Sequence, residues 1–309
     1  MNDDFDDLLN NNVSAEQQGG QFLTKEEYAA KKQAERDAVY MLADNTAMEI
    51  TADGGRFQQY LDVQTQFGRY SAVNALLILA QKAEAMKLGD FDYWKNQGAY
   101  IKQGQTGMSI LEPGKEYERD DGSIGVSYNI KKVFDVSQVD ARKVKAAPVP
   151  KFTERQLLQA LVSKAPVKIT GVSELPDHLP HDMRGENGAA TDPQTGEIFV
   201  RRGMEFSDTF SAVALELAYN EAANDIREAV EPRFTAYCAA YTLCKKHGVD
   251  TRNFHFEDAP GTFGLMSGLD AQMVKRELSI IRDTAGNIVE RMSKQLEAVQ
   301  KAARAQEAR

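Results

Sequence analysis

The sequence predicts an α+β protein of two domains, the first holding a small antiparallel sheet and the second mainly helical with a long C-terminal helix. Three observations lead there. The chain has 309 residues, beyond the size at which one hydrophobic core usually keeps growing. Helical periodicity up to about residue 85 gives way from Tyr93 to short apolar runs punctuated by glycine. It returns after Ala146-Ala147-Pro148-Val149-Pro150, the best domain boundary in the sequence. The expected division is a tail over 1–20, a domain over 21–145, a linker over 146–152, a second domain over 153–262 and a terminal helix over 263–309.

Residues 1–20 contain five acidic residues, no basic one and no apolar periodicity, so burial cannot offset the cost of ordering and a disordered tail is expected. The stretch also lacks the marks of a secretory signal. Thr24-Lys25-Glu26-Glu27 is a capping box, which starts a helix running to about Ile50. Phe57, Tyr60, Leu61, Val63 and Phe67 mark a second helix ending near Gly68. Tyr70 to Ala85 is apolar almost throughout and reads as a buried helix, in which Asn74 must find hydrogen-bond partners.

Ala99–Lys102 and Met108–Pro113, joined by Gln103-Gly104-Gln105-Thr106-Gly107, predict a β-hairpin. Gly104-x-x-Gly107 is its turn rather than a nucleotide loop. Asp120-Asp121-Gly122 marks another turn, and Val126–Phe134 a third strand. Past the boundary, Thr153–Ala165 reads as a capped helix, Val167–Thr170 and Gly196–Arg201 as short strands, and Ser207 or Asp208 as the cap of a helix reaching about Asn224. Pro232–His247 predicts a helix stopped by Gly248 in the left-handed conformation. Leu278, Ile281, Ala285, Ile288, Met292, Leu296 and Val299 alternate at three and four, a stripe that can dock on the second domain or pair with a partner helix.

Composition excludes several function classes. With 42% hydrophobic and 27% charged residues and no run of 18 apolar residues, a membrane role is set aside and a cytoplasmic protein is expected. Cys238 and Cys244 lie six apart on one expected helix and face different directions, so no disulfide framework follows. The histidines, His178, His181, His247 and His255, are scattered. His178-x-x-His181 has ligand-like spacing but sits in a Pro-flanked loop without Cys or a second His pair, and no metal or other cofactor is expected. No Gly-x-Ser-x-Gly elbow, phosphate loop or Cys-His pair is present.

The net charge of −9 is uneven: residues 171–231 carry thirteen Asp/Glu against four Arg and no Lys. By contrast, Val126–Lys151 has Lys131, Lys132, Arg142, Lys143, Lys145 and Lys151 against Asp135 and Asp140. A polyanion can bind such a stretch without the whole protein being basic. A solvated strand edge and linker is the plainer explanation.

The segment Phe67-Gly-Arg-Tyr70-Ser-Ala-Val-Asn74, followed by Tyr93-Trp94-Lys95-x-x-Gly98 and Lys102-x-Gly104-x-x-Gly107-x-x-Ile110-x-x-Pro113, resembles the amino-terminal single-stranded-DNA-binding domain of ArdC-like antirestriction proteins of plasmids and conjugative elements. The resemblance covers roughly residues 24–145. It implies aromatic platforms that stack bases beside a basic track for phosphates. Tyr70, Trp94, Tyr100 and Tyr128 suit the first role, and Arg69, Lys95, Lys102, Lys131 and Lys132 the second. Trp94 is equally suited to a core position, and Asn74 suits a fold-holding bond to the hairpin backbone better than a base contact.

The resemblance further implies a zincin-like metallopeptidase domain, in which a helical His-Glu-x-x-His and a Glu on a later helix hold zinc. Here Leu215 and Tyr219 stand at the histidine positions, only Glu216 at the base position survives, and the later helix around Tyr237 offers no carboxylate. Leucine donates nothing and neutral phenol is a poor ligand, so a metal-free pseudo-peptidase without enzyme activity is expected.

Two readings follow. One is a non-enzymatic accessory protein of a plasmid or other mobile element that binds single-stranded DNA through residues 24–145, in antirestriction, DNA transfer or replication. The alternative is an acidic interaction module that docks a protein partner or imitates DNA through residues 171–231.

Overall fold

The computed structural model describes residues 24–119, 121–140, 151–179, 188–256, 266 and 268–307. The expected tail, most of the expected linker and His181 lie outside them. Contacts divide the chain into two compact units, residues 1–38 and 39–309, with the division inside helix α1 (Lys25–Ala52).

In the first unit, the capping box forms as the sequence predicts. The Thr24 N–H donates to Glu27 Oε2 at 2.8 Å, and the Glu27 N–H to Thr24 Oγ1 at 3.2 Å.

The second unit mixes helices with small sheets. Helix α2 (Gly54–Gln66) starts at Asp53, whose carboxylate accepts the Arg56 N–H at 2.7 Å, and α3 (Ala72–Lys82) starts at Ser71. Beyond α3, β1 (Leu88–Gly89) and β3 (Met108–Glu118) both pair antiparallel with β4 (Ile124–Asp135), in the order β1-β4-β3. The register Ser109↔Lys132, Leu111↔Ile130, Pro113↔Tyr128 slips between Pro113 and Glu116, a bulge that frees the outer half of the hairpin from the inner.

This is not the hairpin that the sequence predicts. Strand β2 (Tyr100–Ile101) pairs with β5 (Val139–Asp140), because β3 is taken by β4 over its length. Between β1 and β2 stands a six-residue helix, α4 (Phe91–Asn96), capped by Asp90.

The later chain forms α5 (Glu154–Val162), capped by Thr153, and a second sheet in the order β6-β8-β7. Here β6 (Ile169–Val172) runs parallel to β8 (Ile198–Arg201), and β7 (Ala189–Thr191), a strand the sequence did not announce, antiparallel to it. Helix α6 (Phe206–Ala223) begins with Glu205 at the N-cap and no side-chain cap bond, two residues earlier than Ser207 and three earlier than Asp208 would place it. Helix α7 (Pro232–His247) has Pro232 in its first turn and ends at Gly248 with φ 67°, as the sequence predicts. Helix α8 (Ala271–Glu307) extends the expected stripe toward its N-terminus.

Two clusters dominate the core. One gathers α2, α3 and the inner hairpin around Phe57, Leu61, Leu76, Ile110 and Val133, and the other α5, α6 and the second sheet around Leu161, Ile198, Phe210, Val213 and Leu217. Two helices serve both. Phe234, Cys238 and Tyr241 of α7 enter the first cluster, whereas Ala236, Ala240 and Leu243 enter the second. Along α8, Leu278 and Ile281 pack in the first and Ile288, Met292 and Leu296 in the second. Apolar residues on more than one face of each helix are the expected consequence of this double burial.

Candidate functional site

The hairpin is held to α3 through side-chain amides. Asn74 Nδ2 donates to the Leu111 carbonyl and Asn74 Oδ1 accepts the Leu111 N–H, both at 2.8 Å. Gln81, two helical turns later, does the same to Ser109, accepting its N–H at 2.8 Å and donating to its carbonyl at 2.9 Å. Asn74 is therefore a fold-holding residue, with both ends of its amide committed.

Trp94 is 0% exposed, packs against Ala99 and Val139, and donates its indole N–H to the Phe134 carbonyl at 2.9 Å. A base cannot stack on a ring without a free face. Of the two roles open to Trp94 in the sequence, the structure supports the core one and removes it from the aromatic platforms.

The other aromatic candidates differ in access. Tyr100 is 68% exposed on β2, and Tyr128 is 41% exposed on β4 opposite Pro113, just before the bulge. Tyr70 is half-buried, edge-on to Phe67 at 6.0 Å between centroids, and burial raises its phenol pKa. Exposed Tyr117, Ile124 and Val126 lie beyond the bulge on the outer hairpin.

The basic candidates differ in how far they are committed. Lys131 Nζ lies 2.9 Å from Asp90 Oδ2 and 2.7 Å from Glu112 Oε1, and these carboxylates hold its pKa above the usual lysine value. Lys131 is thus largely compensated from within the protein. Lys132 Nζ donates to Ser109 Oγ at 2.7 Å, and exposed Lys102 donates to the Ser137 carbonyl at 2.9 Å. Lys95 and Arg69 are exposed.

The structure adds a residue that sequence reasoning missed. Lys246, in the last turn of α7, places Nζ 4.0 Å from the position a Cβ would take at Gly68. Burial first, and then the Arg69 guanidinium beside it, lower the Lys246 pKa. Among the described residues no carboxylate pairs with Arg69 or Lys246. Nothing local in the sequence joins positions 69 and 246. The basic run Lys245-Lys246 before Gly248 was the only available signal.

The structure therefore brings Arg69, Tyr70 and Lys246 to the α2–α3 turn, with Lys131 and Asp90 in the electrostatic surroundings of Tyr70. It places Tyr100 and Lys102 at the β2–β5 pair and Tyr128 farther along the hairpin.

Helices α6 and α7 carry the positions at which the resemblance would require metal ligands. Leu215 packs against the second core cluster. Glu216 is 3% exposed; its Oε1 meets Arg233 Nη1 at 2.6 Å and its Oε2 accepts the Thr191 hydroxyl at 2.6 Å. The Arg233 guanidinium carbon lies 3.7 Å from the Tyr219 ring centroid. The Tyr237 hydroxyl accepts the His255 N–H at 2.7 Å, and its ring packs on Phe254 and Phe256.

These side chains do not fit a metal ion: one is aliphatic, two are tyrosines engaged elsewhere, and the carboxylate is already bonded to Arg233 and Thr191. Among the described residues no group of three or more His, Cys, Asp or Glu is placed to hold one. His178 Nε2 lies 3.6 Å from Asp192 Oδ2 on the surface. Both cysteines are free and buried, and burial pushes the Cys244 thiol up to about 12, so neither is poised as a nucleophile. No described helix is long and apolar enough to cross a membrane.

No protein-family model matches the chain, and no curated protein does. Among solved structures, the chain is similar to the metal-free crystal structure of the antirestriction protein ArdC from the R388 plasmid. The identity is 15% over 73% of this chain and 86% of that one, with a TM-score of 0.49. The Mn(II)-bound structure of that protein compares at 14% identity over 72% of this chain and 85% of that one, with a TM-score of 0.47.

Proposed function

We propose that this chain is an ArdC-like, non-enzymatic accessory protein of a plasmid or other mobile element that binds single-stranded DNA, in antirestriction or DNA transfer. The observation that carries the reading is the pair Arg69 and Lys246, two cations side by side with no carboxylate of their own among the described residues. A phosphodiester supplies the anion that such a pair lacks. Tyr70 flanks it, and Tyr100 with Lys102 offers a second, more exposed aromatic and basic contact. Lys95, Tyr128 and Lys132 extend the track. The sequence resemblance over residues 24–145 supports the same reading.

The test is a titration of single-stranded and duplex oligonucleotides at two or more salt concentrations. Single-strand binding should dominate and weaken with salt, with a log-log slope near −3 if about four phosphates are neutralised. Duplex binding that is equal or tighter at the same salt overturns the reading.

A second reading is favoured by one loop. Ile226 is 97% exposed and Val230 43% exposed between α6 and α7, among Asp225, Glu228 and Glu231. An apolar pair in an acidic rim suits a basic protein partner. Under that reading Ile226→Asp abolishes partner capture and leaves the DNA titration unchanged.

A further inference from the structure

Around Glu216, side chains of α6, α7 and β7 form a connected cluster that includes Tyr219. Glu216 is a carboxylate almost wholly withdrawn from water, and such a group needs a cation and hydrogen bonds around it. Three elements supply them. Arg233, four residues before Tyr237 on α7, brings Nη1 to 2.6 Å from Oε1; Thr191 of β7 donates to Oε2 at 2.6 Å; and Asn220, one turn after Glu216, donates to Thr191 Oγ1 at 3.1 Å. The Tyr219 ring lies against the guanidinium at 3.7 Å, so the aromatic that occupies a ligand position faces the cation through its π-system. Arg233 itself is partly exposed, and its Nη2 is buried without a hydrogen-bond partner among the described residues.

We propose that the Arg233 guanidinium is a built-in cation that takes over, at this helix pair, the charge-compensating role of a metal ion. The α6, α7 and β7 segments are thereby clamped through Glu216 with no ion to load or lose. Arginine suits the task because its planar fork stays charged and stacks on an aromatic face while bonding a carboxylate. The cluster accounts for the tyrosine at position 219, which seats the cation, while Leu215 packs separately on the second core cluster.

The experiment is a double-mutant cycle on the full chain, read as thermal and denaturant midpoints, with metal content and the effects of chelator and Mn(II) measured in parallel. Wild-type protein should keep its Tm in chelator and gain none from Mn(II). Arg233→Met should lower Tm by roughly 6–10 °C, since it leaves the buried carboxylate without its cation. Glu216→Gln/Arg233→Met should recover a large part of that loss, because neither charge then remains. Additive losses overturn the proposal, as does a wild-type Tm that rises with Mn(II) or falls in chelator. If Arg233→Met fails to fold, a folded double variant supports the clamp, and an unfolded one overturns it.

Discussion

Asn74 and Gln81 show how much one side chain can fix. Each satisfies both the N–H and the C=O of a β3 residue, so truncation leaves two backbone groups without partners. Asn74→Ala should therefore cost about 2–4 kcal/mol in chemical denaturation, more than a single net hydrogen bond provides. Lys246→Ala should weaken single-strand binding and make the salt slope shallower by about 0.7, while Lys131→Ala should change the slope less, since Asp90 and Glu112 already neutralise that lysine. His247 supplies a pH dependence: burial pushes its imidazole from 6.5 down to about 4, and its Nε2 is buried without a partner among the described residues. The folded state therefore binds fewer protons than the unfolded state between those values. The stabilisation is fully present above pH 6.5 and is lost as pH falls toward 4, on the order of 3 kcal/mol in all, which unfolding at stepped pH and ring-proton NMR would register. Of these residues, Asn74 was legible as a polar residue on an apolar helix. Lys246 and His247 were not, because their neighbours lie far away in the chain.

At the scale of elements, caps and stops were the most legible features because they are local chemistry. Thr24, Thr153, Pro232 and Gly248 each act within one turn of their own position. Gly248→Ala should cost about 1 kcal/mol, a purely backbone effect, since φ is 67° and no heavy atom lies within 4 Å of the added Cβ. Unchanged denaturation midpoints would contradict it. The β2–β3 hairpin failed as an expectation because the glycine turn between them is real but pairing is decided elsewhere: β5, some forty residues on, takes β2, and β4 takes β3. Helix α4 was hidden by its composition, Phe91, Tyr93 and Trp94 being residues that also favour strands. At the positions where the resemblance would require metal ligands, the sequence offers Leu215 and Tyr219. It could not show Arg233 reaching Glu216, because a side chain's reach across two helices has no periodic signature.

For the whole molecule, the sharing of α7 and α8 by both clusters sets the cooperativity. Melting either core strips a face from both helices, so the 39–309 unit should unfold in one transition. Trp94, the only tryptophan and fully buried in a smaller cluster with Ala99 and Val139, reports on that part, and far-UV circular dichroism on all helices; the two unfolding curves should coincide. Separated midpoints would show that the cores melt independently. The amide bonds that dock β3 have a consequence for association as well. Strand β3 is the edge of its sheet, and an open edge is a template on which another chain can add a strand. Asn74 and Gln81 occupy the bonding groups of Ser109 and Leu111, and Pro113, next in that alternation, has no N–H to offer. A foreign strand thus finds the inner margin already spoken for, and Asn74→Ala/Gln81→Ala should aggregate at concentrations where the parent chain scatters no light.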